Sequence, residues 1–213
     1  MNQIKAIGFD LDNTLYAQTQ EIKEIIEGNI STKASELLGV SKDLALRDYL
    51  QYHSELQSGR RSLMHMGINE GLANIIVEEA VVNSNILNYL ERDQRLVDML
   101  NNLKIKYELF LITTSTKDNS INKLNALGIV YDIFDPRLYR DSQYLRDDGS
   151  AFKYITGYLN LNLDELMFVG DREKIDIIPA KKLGVTTAIV NAKSEHADYQ
   201  LEEIYDLEKI LLT

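Results

Sequence analysis

Ile4-Lys5-Ala6-Ile7-Gly8-Phe9-Asp10-Leu11-Asp12-Asn13-Thr14-Leu15-Tyr16 is the stretch on which the fold of this chain turns. Its first six residues form a short, mainly apolar run that meets acids at once, which predicts a strand buried on both faces. The texture then changes. From about Thr19 to Leu90 the period is helical: Ile22, Ile25, Ile26, Ile30, Ala34, Leu37 and Leu38 share one face, and Gly39 marks a stop. Ser41 is placed to cap a second helix carrying Leu44, Tyr49, Leu50 and Leu56. Gly59-Arg60-Arg61 reads as a break, and a further helical stretch runs from about Asn69 to Val82.

Beyond this block, helical and strand-like segments alternate. A helix near Gln94–Leu103 precedes the strand 107–112, which ends in Thr113. A helix over about Asn119–Leu127, closed by Gly128, leads to the apolar run Val130–Phe134. Another helix near Ser150–Leu159 precedes the strand Leu166–Val169, which ends in Gly170-Asp171. Ile178–Leu183 reads as helix and Val185–Val190 as strand. Such alternation predicts a parallel sheet covered by helices on both faces, an α/β core. The all-helical block is then an insertion after the first strand. The expected division is 1–16 with 93–213 as core and 17–92 as a helical cap.

Composition bounds the function. The 213 residues suit one domain with a modest insertion, and the absence of Cys excludes disulfides and thiolate metal sites. Thirty-three acids against 23 bases give a net charge of −10, which argues against nucleic-acid binding as the main activity. A small anionic substrate stays compatible, because a divalent cation reverses the local field. No apolar run approaches the length of a membrane span. The first ten residues are too polar for a secretion signal, so a cytoplasmic location with no membrane partner is expected.

Three strands end in polar groups: Asp10 and Asp12, Thr113, and Asp171. Ligands of open parallel sheets bind at these carboxyl ends. Phe9-Asp10-Leu11-Asp12-Asn13-Thr14 resembles the first motif, DxDxT, of the haloacid dehalogenase-like hydrolase superfamily. Leu111-Ile112-Thr113 resembles its second motif, and Gly170-Asp171 with Asp176 its acidic fourth motif. The resemblance covers nearly the whole chain and implies a Rossmann-like core with a type 1 helical cap. Within the superfamily, Asp10 to Tyr16 followed by such a cap is similar to the pyrimidine 5′-nucleotidase-like branch.

The resemblance implies a Mg²⁺-dependent phosphatase acting on a small phosphomonoester, with a nucleoside 5′-monophosphate as one candidate. Asp10 would attack phosphorus and form an aspartyl phosphate, and Asp12 would protonate the leaving oxygen and then activate water. The carboxylates of Asp10 and Asp171 and the backbone carbonyl of Asp12 would hold Mg²⁺, with Asp176 as ligand or support. The Thr113 hydroxyl and nearby N–H groups, those of Thr114 included, would hold phosphoryl oxygens.

Two departures stand out. Thr114 occupies the place where the family often has Asn. The third motif, a basic residue and usually Lys, has two claimants: Lys153 is favoured on identity, and Arg146 lies in the loop where that Lys often sits. Arg60 and Arg61 mark a break where the cap could touch substrate. His53, His65 and His196 show no metal-binding spacing, and no phosphate-binding Gly-rich loop is present. A phosphomutase and a non-catalytic phosphate- or metal-binding module are the alternatives.

Overall fold

The structure, a computed structural model, describes residues 3–211. The chain divides into two compact units. One comprises the residues up to Ala17 and from Leu90 on; the other is Gln18–Tyr89.

The first unit is built on a six-stranded sheet: β1 (Ala6–Phe9), β2 (Glu108–Ile112), β3 (Arg137–Leu138), β4 (Leu166–Gly170), β5 (Thr186–Val190) and β6 (Tyr199–Leu201). The order is β3-β2-β1-β4-β5-β6, and every neighbouring pair is parallel. From β1 the chain steps outward through β2 to β3, then crosses back to β4 on the other side of β1. The order therefore reverses at β1, and in such sheets the crevice for a ligand opens there. Phe9 is level with Leu111 of β2 and Val169 of β4, so Asp10, Thr113 and Asp171 leave the sheet along one edge.

The Gln18–Tyr89 unit is helical: α1 (Gln20–Leu38), α2 (Lys42–Leu56), α3 (Gly59–His65) and α4 (Glu70–Asn83). Thr19, Ser41 and Asn69 each accept the backbone N–H three residues on, satisfying a donor that the first turn leaves orphaned. Gly39 ends α1 in the left-handed region, φ 66°. Ile30, Ala34, Ala45, Tyr49, Leu63 and Ile76 form this unit's own core. The expected break at Gly59-Arg60-Arg61 is displaced: the chain turns at Gln57, Ser58 accepts the Arg61 N–H, and Gly59 opens α3.

The sheet is covered on both faces. Ile7 and Phe9 pack with Leu96 of α5 (Gln94–Lys104), Leu124 of α6 (Lys117–Ala126) and Leu207 near the C-terminus. Ala6 and Phe168 pack with Phe152 and Ile155 of α7 (Ser150–Leu159) and Ala180 of α8 (Ile178–Lys182). The apolar run Val130–Phe134 contains a single tight turn, Tyr131–Ile133, and the edge strand follows it at β3. β6 is followed by α9 (Asp206–Leu211). Among the described residues no helix is long and apolar enough to cross a membrane.

Candidate active site

Asp10 leaves β1 with its N–H donating to the Val169 carbonyl at 2.9 Å, which fixes its backbone between β1 and β4. Its side chain is buried, and two guanidinium groups meet it. Arg146 Nη1 lies 3.1 Å from Oδ1, and Arg172 Nη2 donates to Oδ2 at 3.1 Å. Burial pushes the Asp10 carboxyl up, against the pull of Arg146 and Arg172.

Asp176 completes the cluster. Between β4 and α8 the chain makes one wide helical turn, Glu173–Ile177, in which the Ile178 N–H reaches back five residues to Glu173. This turn carries Asp176 inward until it is fully buried. Its Oδ2 accepts the Arg172 N–H at 2.9 Å, and its Oδ1 lies 2.7 Å from Arg146 Nη1. Gly170 makes room: a Cβ there would stand 2.5 Å from the Cβ of Asp176. Asp171, next along, accepts from Asn13 Nδ2 at 2.9 Å. Burial and the neighbouring Asp176 and Asp10 charges outweigh Arg172 and raise the Asp171 carboxyl to about 7.

Carboxylate oxygens of Asp10, Asp171 and Asp176 lie within 4.8 Å of one another. Asp10 Oδ1 and Asp176 Oδ1 are both ion-paired with Arg146 Nη1, while the other terminal nitrogen of Arg146, Nη2, is buried with no hydrogen-bond partner among the described residues. Buried polar atoms in that state mark a place built for a ligand. The donor set fits two kinds at once. All-oxygen acid ligands suit a hard divalent cation, and the guanidinium nitrogens suit an oxyanion.

The Asp12 carboxylate has different company. Lys123 Nζ lies 2.5 Å from Oδ1, Ser115 Oγ donates to Oδ2 at 2.6 Å, and the Tyr16 hydroxyl also donates to Oδ1. Burial alone would raise this carboxyl, but Lys123, with Ser115 and Tyr16, holds it down at about 2. Thr113 is buried at the end of β2, where its hydroxyl accepts the Ser115 N–H at 3.1 Å. Two carboxylates two residues apart therefore sit in opposite surroundings, one between guanidiniums and one under an ammonium.

A profile of the haloacid dehalogenase-like hydrolases matches residues 4–184. The chain belongs to this family. Phosphate metabolism protein 8 of Saccharomyces cerevisiae is 28% identical over 142 residues, 63% of this chain and 43% of that protein, so the match spans under half of the yeast relative. The glyceraldehyde 3-phosphate phosphatase of Methanocaldococcus jannaschii is 26% identical over 98% of this chain and 97% of its own. In fold, this hydrolase is similar to the crystal structure of a HAD phosphatase from Thermococcus onnurineus, with a TM-score of 0.65, 23% identity and 98% of both chains covered.

Within this hydrolase, Asp10, Asp12, Thr113, Asp171 and Asp176 meet at one edge of the sheet. Lys153 does not join them. Its neighbours Ala151, Phe152 and Ile155 turn α7 toward the core and leave Lys153 exposed on the outer face. The cations at Asp10 are Arg172 and Arg146, the latter 4% exposed and in the loop before α7. Thr114 is exposed beside the buried Thr113. Arg60 and Arg61 lie in the first turn of α3, where Arg60 pairs with Glu70. Sequence reasoning missed Arg172, Ser115 and Lys123. Arg172 carried a signal, since it adjoins Asp171 at a strand end. Lys123, in the last turn of α6, reads as an ordinary basic helix end.

Proposed function

We propose that this hydrolase is a Mg²⁺-dependent phosphatase that cleaves a small phosphomonoester through an aspartyl phosphate on Asp10. The observation that carries the reading is the Asp10 carboxylate held between Arg146 and Arg172 beside Asp171 and Asp176, with Asp12 two residues on. Asp10, Asp171 and Asp176, with the Asp12 backbone carbonyl, would hold Mg²⁺, which when bound offsets the charge of nucleophile and phosphoryl group.

The remaining chemistry belongs to the side chains. An Asp10 oxygen bonds to phosphorus as the ester P–O bond breaks, and the electron pair leaves with the alkoxide. Asp12, which must enter this step as the carboxylic acid although its neighbours favour the ionised form, gives that oxygen a proton and regains it from water in the next step. Water then attacks phosphorus and passes its proton to Asp12, and the bond from Asp10 to phosphorus breaks to release inorganic phosphate. Arg146 takes the charge-neutralising role that the family gives to a lysine; its support is the 3.1 Å contact with Asp10 and a buried nitrogen free for a phosphoryl oxygen. The Thr113 hydroxyl holds a second phosphoryl oxygen.

The helical unit, inserted between β1 and α5, is read as the type 1 cap that selects substrate, over the expected range 17–92. The end-to-end match with a phosphatase named for a triose phosphate favours a short phosphorylated metabolite over a nucleotide. The test is a panel of phosphomonoesters, triose phosphates and nucleoside 5′-monophosphates included, assayed with Mg²⁺ and with EDTA. The expected result is release of phosphate from a small ester only when metal is supplied. Full turnover in chelator, or no hydrolysis anywhere in the panel, would overturn the reading.

A further inference from the structure

Lys123 is among the largest fully buried side chains of the protein, at 1% exposure. A lysine in the core is expensive unless its ammonium is paired and hydrogen-bonded, and an apolar residue would serve packing better. The stem rises from α6, whose neighbouring Leu124 packs in the core against the Ile7 and Phe9 side of the sheet. The ammonium ends 2.5 Å from Asp12 Oδ1 and 3.0 Å from Ser115 Oγ.

Three donors thus converge on one carboxylate from three segments. Lys123 comes from α6, Ser115 from the loop after β2, and Tyr16 from the loop after β1. Both Asp12 oxygens are engaged, so the carboxylate has a fixed rotamer. The same Ser115 donates its N–H to the Thr113 hydroxyl, which ties the arrangement to the end of β2.

We infer that Lys123 is a positioning residue that, with Ser115 and Tyr16, holds the Asp12 carboxylate in the orientation from which it exchanges protons with the leaving group. The inference rests on the phosphatase reading above. A group aligned for proton transfer matters in proportion to the proton demand of the departing oxygen. An alkyl phosphate leaves as a strongly basic alkoxide and needs the proton. A 4-nitrophenyl phosphate leaves as a stable phenolate and needs none.

The experiment compares Lys123→Met with the wild type on both esters, in the presence of Mg²⁺. Methionine keeps the length of the buried stem and removes the ammonium, and circular dichroism with a thermal melt checks the fold. The expected result is a fall in kcat/KM of about 30-fold or more for the alkyl ester and within about threefold for the nitrophenyl ester. In an Asp12→Asn background the same change should add almost nothing on the alkyl ester, because the group it positions is already disabled. Equal losses on both esters, additive losses in the double variant, or a faster Lys123→Met enzyme would each overturn the inference while the phosphatase reading stands. If Lys123→Met does not fold, Ser115→Ala, which removes a second donor to the same carboxylate, must show the same ester-dependent loss or the inference fails. A wild type inactive on both esters and throughout the wider panel would defeat both.

Discussion

The guanidinium of Arg146 stands between the Asp10 and Asp176 carboxylates, and its burial is tolerable only because both charges face it. Removing it leaves two buried carboxylates short of a counter-charge and takes a donor from the phosphoryl group. Arg146→Ala is therefore expected to lower kcat/KM by about 10²-fold or more, the scale on which losing a preorganised charge donor is felt. Lys153→Ala, on an exposed helix face, should change it by less than about twofold. Steady-state kinetics on both variants decides the matter, and the reverse ranking would return the basic role to Lys153. Asp10, Asp12 and Asp171 were legible in sequence because they follow apolar runs, so that the strand itself locates them, whereas Asp176 was found only through the resemblance to the family's fourth motif. Arg146 lies in a loop with no period to fix its direction, and residue identity favoured the base that the structure leaves outside the cluster. Lys123 was invisible for another reason: helical spacing does not reveal that its stem crosses the core to reach Asp12.

The wide turn Glu173–Ile177 positions a carboxylate that a regular helix would not direct in the same way, and Gly170 is its counterpart in β4. A Cβ at 170 would lie 2.5 Å from Asp176 Cβ, closer than packed atoms allow. Gly170→Ala should displace Asp176, cost about 1–3 kcal/mol of stability as other overpacked sites do, and weaken Mg²⁺ affinity measured by calorimetry. Gly157, exposed within α7 and with open space for at least 4 Å around the place a Cβ would take, is the control. Gly157→Ala should be neutral or stabilising by about 0.5–1 kcal/mol. Metal affinity unchanged in Gly170→Ala would contradict this account of the turn. Among the elements, α1, α2 and α4 announced themselves by period, with Gly39 ending α1 and Ser41 capping α2 as their positions imply. β3 has only two residues and β6 three, too few for alternation to declare a strand.

At the scale of the whole molecule, an acidic chain of net charge −10 gathers three cations, Lys123, Arg146 and Arg172, at one edge of its sheet. The overall charge repels polyanions, while under the proposed function this local group would receive a small one once a divalent cation joins it. The fold makes the gathering possible: the strand order reverses at β1, bringing the ends of β1, β2 and β4 level. The proposed function makes Asp10 the nucleophile. The direct measurement is to quench turnover of a good phosphomonoester with borohydride, which reduces an acyl phosphate, and to map the product by mass spectrometry. The account predicts that the Asp10 side chain is converted to the alcohol only when substrate and Mg²⁺ are both present, and that Asp10→Asn shows neither conversion nor turnover. Steady hydrolysis with Asp10 unmodified, or undiminished activity in Asp10→Asn, would contradict it.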